Sequence, residues 1–468
     1  MMTLGELAGL IPASLLKGDA NIVLEQVSTD TRNLPEQCVF FALKGERYDA
    51  HDFAEQAVTG GAVALVVDRP LDLDAPQVVV PDTRLALGNV AAGYRARFAL
   101  PVIAVTGSNG KTTVTQMLAS ILASAAGEDG RLATRGNLNN DIGLPLTLFR
   151  LQSRHRFAVL ELGMNHPGEI AYLAGIAQPT VALVNNAQRE HQEFMGTVEA
   201  TAHENGTVIS ALPENGVAVF PADDDCAPIW RELAGNRRIL DFGFRKPAAV
   251  SARFHPTPGG IRVSLHTPTD AIDLNLRLAG AHNAHNAAAA ATAALAAGIA
   301  PEVIRQGLEA FTPVTGRGVI QQAASGATVI DDTYNANPDS VRAAIELLAA
   351  LEGPRVLVLG DMGEVGEQGP EFHAEIGGYA REQGLHALLA LGELTPAAVT
   401  AFNAGGSVTE GKGVHFADIE ALIEKARQLA TPNATLLVKG SRFMKMERVV
   451  QAICIPRPSH NHPREQAL

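Results

Sequence analysis

An apolar, β-branched run, Val102-Ile103-Ala104-Val105, stops at Thr106-Gly107-Ser108-Asn109-Gly110-Lys111-Thr112-Thr113, and Val114 to Ala126 then reads as a helix. A buried strand that turns tightly into a helix N-terminus makes an anion site. Backbone N–H groups without helical partners point outward there, and the helix dipole favours negative charge. Gly107 and Gly110 let the backbone approach phosphate oxygens where a Cβ would intrude. Lys111 can neutralise β- and γ-phosphates, and the Thr112 hydroxyl can ligate Mg²⁺. The full P-loop pattern would place its first glycine at Val105, so the match is partial. Thr106 to Thr113 are expected to cradle a nucleoside triphosphate.

Other chemistry-bearing residues cluster where buried runs end. Phe157-Ala-Val-Leu160 leads into Glu161, whose carboxylate can reach a metal held by Thr112. Val181-Ala-Leu-Val184 leads into a polar stretch, Asn185 to Glu193, that contains His191. Both stretches lie at carboxyl ends of strands, where open α/β sheets bind ligands. On these residues alone, His191 is equally a ligand or a loop histidine. Asn283 and Asn286, three apart on one helix face, can read an adenine edge or bridge to neighbouring loops. Asn137, Asn139 and Asn140 form an amide patch suited to a peptide- and sugar-rich substrate, or an Asn-rich turn. Near the start, Ser28-Thr-Asp30-Thr-Arg32 can bind a phosphate or a uracil edge through hydroxyls and a guanidinium fork. A polar turn or capped helix start is the simpler reading of those residues alone.

The elements that must position these groups divide the chain into three. Residues 1–84 read as a small α/β domain with short buried strands at Val63–Val67 and Val78–Val80. Residues 85–315 alternate strand and helix, as in a mostly parallel sheet. Within them, Ile261–Leu265 and Ile272–Leu278 alternate strictly and predict an added antiparallel layer. Ala284 to Ala297 is an alanine-rich helix. Phe311 to Arg317, broken by Pro and Gly, is the expected joint to a Rossmann-like domain at 316–455. That domain should hold strands at Val329–Asp332, Val356–Gly360, Ala387–Gly392 and Thr435–Gly440, and residues 456–468 a disordered tail. The fold class is α/β.

A formal charge of −13 argues against a nucleic-acid partner, which needs a basic footprint, while anionic small substrates remain open. No apolar run reaches membrane-spanning length, and Met1 to Leu16 lacks the basic region and cleavage site of a secretory signal. Cys38, Cys226 and Cys454 are odd in number and far apart, so neither a disulfide framework nor a metal cluster is expected. The expectation is a cytoplasmic monomer.

Together the blocks resemble the Mur ligases, ATP-dependent amide-forming enzymes of peptidoglycan synthesis. Thr106–Thr113 resembles the family's ATP loop, Gly280-Ala-His-Asn-Ala-His-Asn286 its adenine-side motif, and Asp331-Asp332 its ribose contact. Thr134-Arg-Gly-Asn-Leu-Asn-Asn-Asp-Ile-Gly-Leu-Pro145, Asp332-Thr-Tyr-Asn-Ala-Asn-Pro338 and Leu359-Gly-Asp-Met-Gly-Glu-Val-Gly366 are similar to the branch that adds D-alanyl-D-alanine to UDP-N-acetylmuramoyl-tripeptide. The resemblance implies ATP and Mg²⁺ as cofactors, an acyl-phosphate intermediate, and catalytic roles for Lys111, Glu161 and His191, with His191 on a second Mg²⁺. It adds Arg317 and Asp332 to the nucleotide contacts. It also makes Ser28, Asp30, Arg32, Lys44, Thr134, Asn137, Asn139, Asn140, Tyr334, Asn335 and Asn337 candidate substrate contacts. Another ligase of the superfamily, folylpolyglutamate synthetase included, and a P-loop ATPase or kinase without amide synthesis are the alternatives. The third residue of the tripeptide, diaminopimelate or lysine, is left open.

One position departs from the family. Where a carbamylated lysine commonly helps hold the second magnesium, this chain has Asn205, which cannot be carbamylated. Glu204 is adjacent, but neighbouring helix positions point about 100° apart, so it is no simple substitute. The expectation is an enzyme that needs no carbamate.

Overall fold

The computed structural model describes residues 1–45, 47–190, 192–257, 259–267, 270–404 and 412–455. His191 and the tail 456–468 lie outside the described residues.

The first sheet runs in the order Leu15–Lys17, Gln77–Val79, Ala64–Val67, Cys38–Phe41, Gln26–Ser28. Its first pair is antiparallel and the rest are parallel. The central strands Cys38–Phe41 and Ala64–Val67 are buried throughout, as expected of parallel strands covered on both faces. Helix Thr83–Arg95 follows, its start capped by the Asp82 carboxylate, which accepts the N–H groups of Arg84 and Leu85. The Thr83 hydroxyl donates to Ala42 O, while Tyr94 donates to Leu151 O and Arg95 to Ala177 O. One helix therefore bolts the first sheet to the second layer, and the 84/85 division expected from sequence falls inside it.

The second sheet is fully parallel, in the order Arg238–Ile239, Val217–Val219, Val181–Val184, Val102–Thr106, Phe157–Glu161, Arg131–Ala133. Val102–Thr106 is central and completely buried. Ile103 and Val105 face one apolar core, and Val102 and Ala104 the other. Helix Lys111–Ala126 covers one face together with the alanine-rich helix Ala281–Ala296. Ala287 to Ala291 are fully buried, and their small side chains permit this close packing. The strictly alternating segments form antiparallel strands, Gly260–His266 against Ala271–Leu276, within a four-stranded sheet that also holds Phe242–Gly243 and Val250–Thr257.

The third sheet is ordered Val319–Gln322, Thr328–Asp332, Thr435–Lys439, Arg355–Gly360, Ala387–Leu391, Gly413–Phe416. All pairs are parallel except the first. The two edge strands, Val319–Gln322 and Gly413–Phe416, went unread in the sequence because mixed polarity hides their period. No helix among the described residues is long and apolar enough to cross a membrane.

Candidate active site

Parallel register sets the site. Glu161 is level with Val105, and Val184 with Thr106, so Glu161, the glycine loop and Asn185 emerge at one sheet edge. They open into a cleft of about 1670 Å³ that reaches from Asp82 and Arg84, past the loop, to Asp332, Tyr334 and Lys439 of the third sheet.

The loop is held as tightly as it is open. Gly107 (φ 128°) and Gly110 (φ 81°) both need the left-handed half of backbone space. A Cβ on Gly107 would lie 2.9 Å from Asn185 N, so this glycine is required by the neighbouring loop as well as by any phosphate. The N–H of Gly107 donates to Asn205 Oδ1, that of Ser108 to Asn186 O and that of Asn109 to Asn186 Oδ1 (2.8 Å). The first turn of helix Lys111–Ala126, which includes Thr112 and Thr113, is the stretch whose N–H groups could receive an anion. The Ser108 hydroxyl bonds the backbone of Gln188.

Lys111 Nζ donates to Gly107 O (2.6 Å), to Ser108 O (3.1 Å) and to Glu190 Oε1 (2.8 Å). The Thr112 hydroxyl lies 3.2 Å from Glu161 Oε1 and accepts from Arg317 Nη2 (3.0 Å). Asn139 Nδ2 donates to the same Glu161 oxygen at 2.8 Å. Glu161 is only 2% exposed, and its Oε2 is buried without a hydrogen-bond partner among the described residues. A buried, under-satisfied carboxylate oxygen beside a hydroxyl is a hard oxygen pair of the kind Mg²⁺ takes, with phosphate and water completing the shell. The residues present therefore fit the metal.

On the far wall, Arg317 stacks over the Tyr334 ring at 4.0 Å. Asp332 pairs with Lys439 (2.6 Å), which also donates to Asn335 O. Its neighbour Asp331 has a separate role: it is buried, accepts the Thr333 hydroxyl, and burial raises its pKa. Asn337 and Asn109 exchange amide hydrogen bonds of 2.9 and 3.2 Å, while Asn337 also caps helix Pro338–Ala349. Arg189 grips Asp339 (2.7 Å) and Glu375 (2.6 Å), and the bond to Glu375 above all raises its pKa. The second and third sheets thus meet across the cleft through Arg317, Asn337 and Arg189.

Asn286 Oδ1 accepts Asn185 Nδ2 at 3.0 Å, and Asn283 Nδ2 donates to Ala279 O, so both bridge to neighbouring loops while lining the cleft. His282 lines the same wall, and burial lowers its pKa. Asn137 and Asn140 also line the cleft, with Asn140 Oδ1 capping the Ile142–Gly143 turn. Thr134 is buried and accepts the Glu161 N–H, so it fixes the end of strand Phe157–Glu161 and is not among the lining residues. Ser28, Asp30, Arg32 and Lys44 lie outside this cleft. Ser28 bonds the Asp30 backbone, Asp30 holds the Arg32 guanidinium (2.6 Å), and the Lys44 backbone pairs antiparallel with that of Asp49.

Asn205 is 1% exposed, and its Oδ1 accepts the Thr106 hydroxyl (2.6 Å) as well as Gly107 N. It is a strut for the loop. The Glu204 carboxylate accepts the N–H groups of Gly168 and Ile170, both at 2.9 Å, so it is committed to the start of helix Glu169–Ala177. Sequence reasoning passed over Glu190, Asn185, Asn186 and Lys439. Lys439 ends a buried strand, Thr435–Lys439, which is the signal that singled out Glu161.

Comparison with known proteins follows the same outline. Residues 105–294 match the Mur ligase middle domain, and residues 316–442 the Mur ligase, glutamate ligase domain. The UDP-N-acetylmuramoyl-tripeptide--D-alanyl-D-alanine ligase of Escherichia coli is 43% identical, covering 97% of this chain and 98% of that protein. Among solved structures, UDP-N-acetylmuramoylalanyl-D-glutamyl-2,6-diaminopimelate--D-alanyl-D-alanyl ligase from Acinetobacter baumannii superposes with a TM-score of 0.83 at 37% identity, over 96% of this chain and 97% of that one. MurF ligase from Thermotoga maritima in complex with ADP gives 0.80 at 26% identity, over 91% and 96%. The chain belongs to the Mur ligase family.

Proposed function

We propose that this chain joins D-alanyl-D-alanine to the peptide end of UDP-N-acetylmuramoyl-tripeptide at the expense of ATP, through an acyl phosphate. The observation that carries the reading is the convergence of Lys111, Thr112 and Glu161 on one sheet edge beneath Arg317, together with the relatives' shared activity. A peptide carboxylate is a poor acyl donor because its oxygen is a poor leaving group. Its oxygen attacks the γ-phosphorus of ATP, ADP leaves, and a mixed anhydride forms. The amine of D-alanyl-D-alanine then attacks the acyl carbon, phosphate departs with the former carboxylate oxygen, and the nitrogen loses a proton.

The first step brings two anions together, so neutralisation dominates its barrier. Lys111 supplies a cation at the loop, and Arg317 a second one from the turn that leads into the third sheet. Mg²⁺ held by Thr112 and Glu161 would screen the phosphate oxygens. Asn139 keeps the Glu161 carboxylate aligned. Tyr334 and Asn335 face the same cleft and would contact nucleotide or peptide, with Asn283, Asn286 and Asp332 toward the base and ribose. The 1–84 segment is read as the holder of the UDP end, with Ser28, Asp30, Arg32 and Lys44 as its contacts. The 316–455 segment closes over the cleft and shields the anhydride from water. The chain is read as a cytoplasmic monomer, and the lack of a disulfide among the described residues suits a reducing compartment.

ADP release measured across a panel of UDP-muramoyl peptides and D-amino-acid dipeptides tests the reading. The expected result is turnover that requires both a UDP-muramoyl tripeptide and D-alanyl-D-alanine. ADP release indifferent to both would make the chain an ATPase and overturn it.

A further inference from the structure

The cleft has a second charged corner, well away from the nucleotide loop in the chain. Arg84, in the first turn of helix Thr83–Arg95, meets Asp141 through Nε at 2.6 Å and lines the cleft together with it. Asp141 belongs to the Asn-rich turn that supplies Asn137, Asn139 and Asn140, and it lies on the other side of the joint that the helix spans. Tyr172 completes the corner. Its hydroxyl is buried against Gly88 of the same helix and has no hydrogen-bond partner among the described residues, and burial, reinforced by Asp141 and Asp82, raises its pKa. The N-terminus of the helix is already closed by Asp82, so the available positive group is the guanidinium itself.

An arginine fixed at one edge by a carboxylate presents its remaining nitrogens as a planar fork, which matches a carboxylate in two parallel hydrogen bonds. The wall from this corner to Glu161 is lined by the amides of Asn139, Asn140 and Asn165, groups that pair with peptide bonds. A peptide whose reacting end lies at the γ-phosphate would extend along those amides toward Arg84. We infer that Arg84, oriented by Asp141, is a specificity residue that binds a non-reacting carboxylate of the substrate's peptide stem. This rests on the ligase reading above. A stem of the alanyl-D-glutamyl-2,6-diaminopimelate kind has two sources of such a group, the glutamyl α-carboxylate and the distal carboxylate of the diaminopimelyl residue.

Steady-state kinetics of the full-length wild type and of Arg84→Gln would be compared on three substrates: the unmodified diaminopimelyl tripeptide, its glutamyl α-amide, and the lysyl tripeptide. A charge-assisted contact of about 1.5–3 kcal/mol predicts that the variant raises KM for the unmodified substrate about 10- to 150-fold with kcat nearly unchanged. For the substrate lacking the partner carboxylate, variant and wild type should agree, which identifies the source. Arg84→Lys should recover only part of the loss, since an ammonium has no fork. An equal loss on all three substrates, or weaker inhibition of the variant by UDP-N-acetylmuramic acid without peptide, would assign Arg84 to the diphosphate and overturn the inference. Unchanged kinetics on all three would overturn it too. Wild-type turnover on the unmodified substrate is the separate check on the ligase reading.

Discussion

Replacing Lys111 by methionine should separate two jobs that the side chain performs at once. Its ammonium holds Gly107 O, Ser108 O and the Glu190 carboxylate, and both ends of the ion pair are largely enclosed, at 14% and 10% side-chain exposure. Loss of the cation at the phosphates should lower kcat by about 10²–10³, equivalent to about 2.7–4 kcal/mol of transition-state stabilisation. The same change leaves the enclosed Glu190 carboxylate without Lys111, a defect on the scale of a charged hydrogen bond, about 1.5–3 kcal/mol of stability. Adding Glu190→Gln removes the negative charge that Lys111 balanced, so the double variant should regain part of the stability and none of the activity. Urea unfolding with and without ADP reads the first quantity, and substrate-dependent ADP release the second. Near-normal turnover of Lys111→Met would refute the electrostatic argument. If Glu190→Gln failed to restore stability, the ion pair would not be what holds the loop.

Further outcomes follow from buried polar groups. Asn205→Leu leaves the Thr106 hydroxyl and the Gly107 N–H without their shared acceptor, so nucleotide affinity should fall about 10-fold by calorimetry, at about 1–3 kcal/mol per stranded group before relaxation. The wild type should work equally well with and without bicarbonate, and strict dependence on it would contradict the assignment of Asn205 as a strut. Burial lowers the pKa values of His282, His285 and His373, and the His373 ring is fully enclosed, accepting Met362 N–H and donating to Gly369 O. The unfolded chain then takes up protons that the fold refuses, so stability should hold above pH 6.5 and fall as pH drops below it. The slope is up to about 1.4 kcal/mol per pH unit for each ring. Unfolding free energies between pH 7.5 and 5 test this, with a shallower slope expected for His373→Gln, and a flat profile in the wild type would sink it.

The local geometry around the glycine loop was legible because it follows local rules. A buried β-branched run, a glycine turn and a helix start are adjacent in sequence, and Glu161 ends a strand that pairs with that run. Groups that act across the fold left no local trace. Glu190 reaches Lys111 over 79 positions and Asn337 reaches Asn109 over 228, and neither separation has a sequence period. Asn140 was read as a substrate amide or a turn residue, and its Oδ1 caps a turn while the residue still lines the cleft. Asp361, within one of the family-like blocks, accepts the N–H groups of Glu393, Leu394 and Thr395 and so builds a helix start. A motif fixes which residues recur, whereas burial and partners decide which of them hold the scaffold.

The pairing of the cleft's cations explains how a chain of net charge −13 can gather anionic substrates. Lys111 rests on Glu190, Lys439 on Asp332 and Arg84 on Asp141, and all three cations line the cleft. Without those carboxylates, these three cations in a partly enclosed cleft would repel one another and carry a desolvation cost. With them, the positive groups are fixed in place before any substrate arrives. A phosphate or carboxylate entering the cleft then exchanges with a resident carboxylate or shares its cation, so little new charge has to be desolvated. The acidic total and the anionic substrates are therefore compatible, because the local potential is set by which resident carboxylate is displaced.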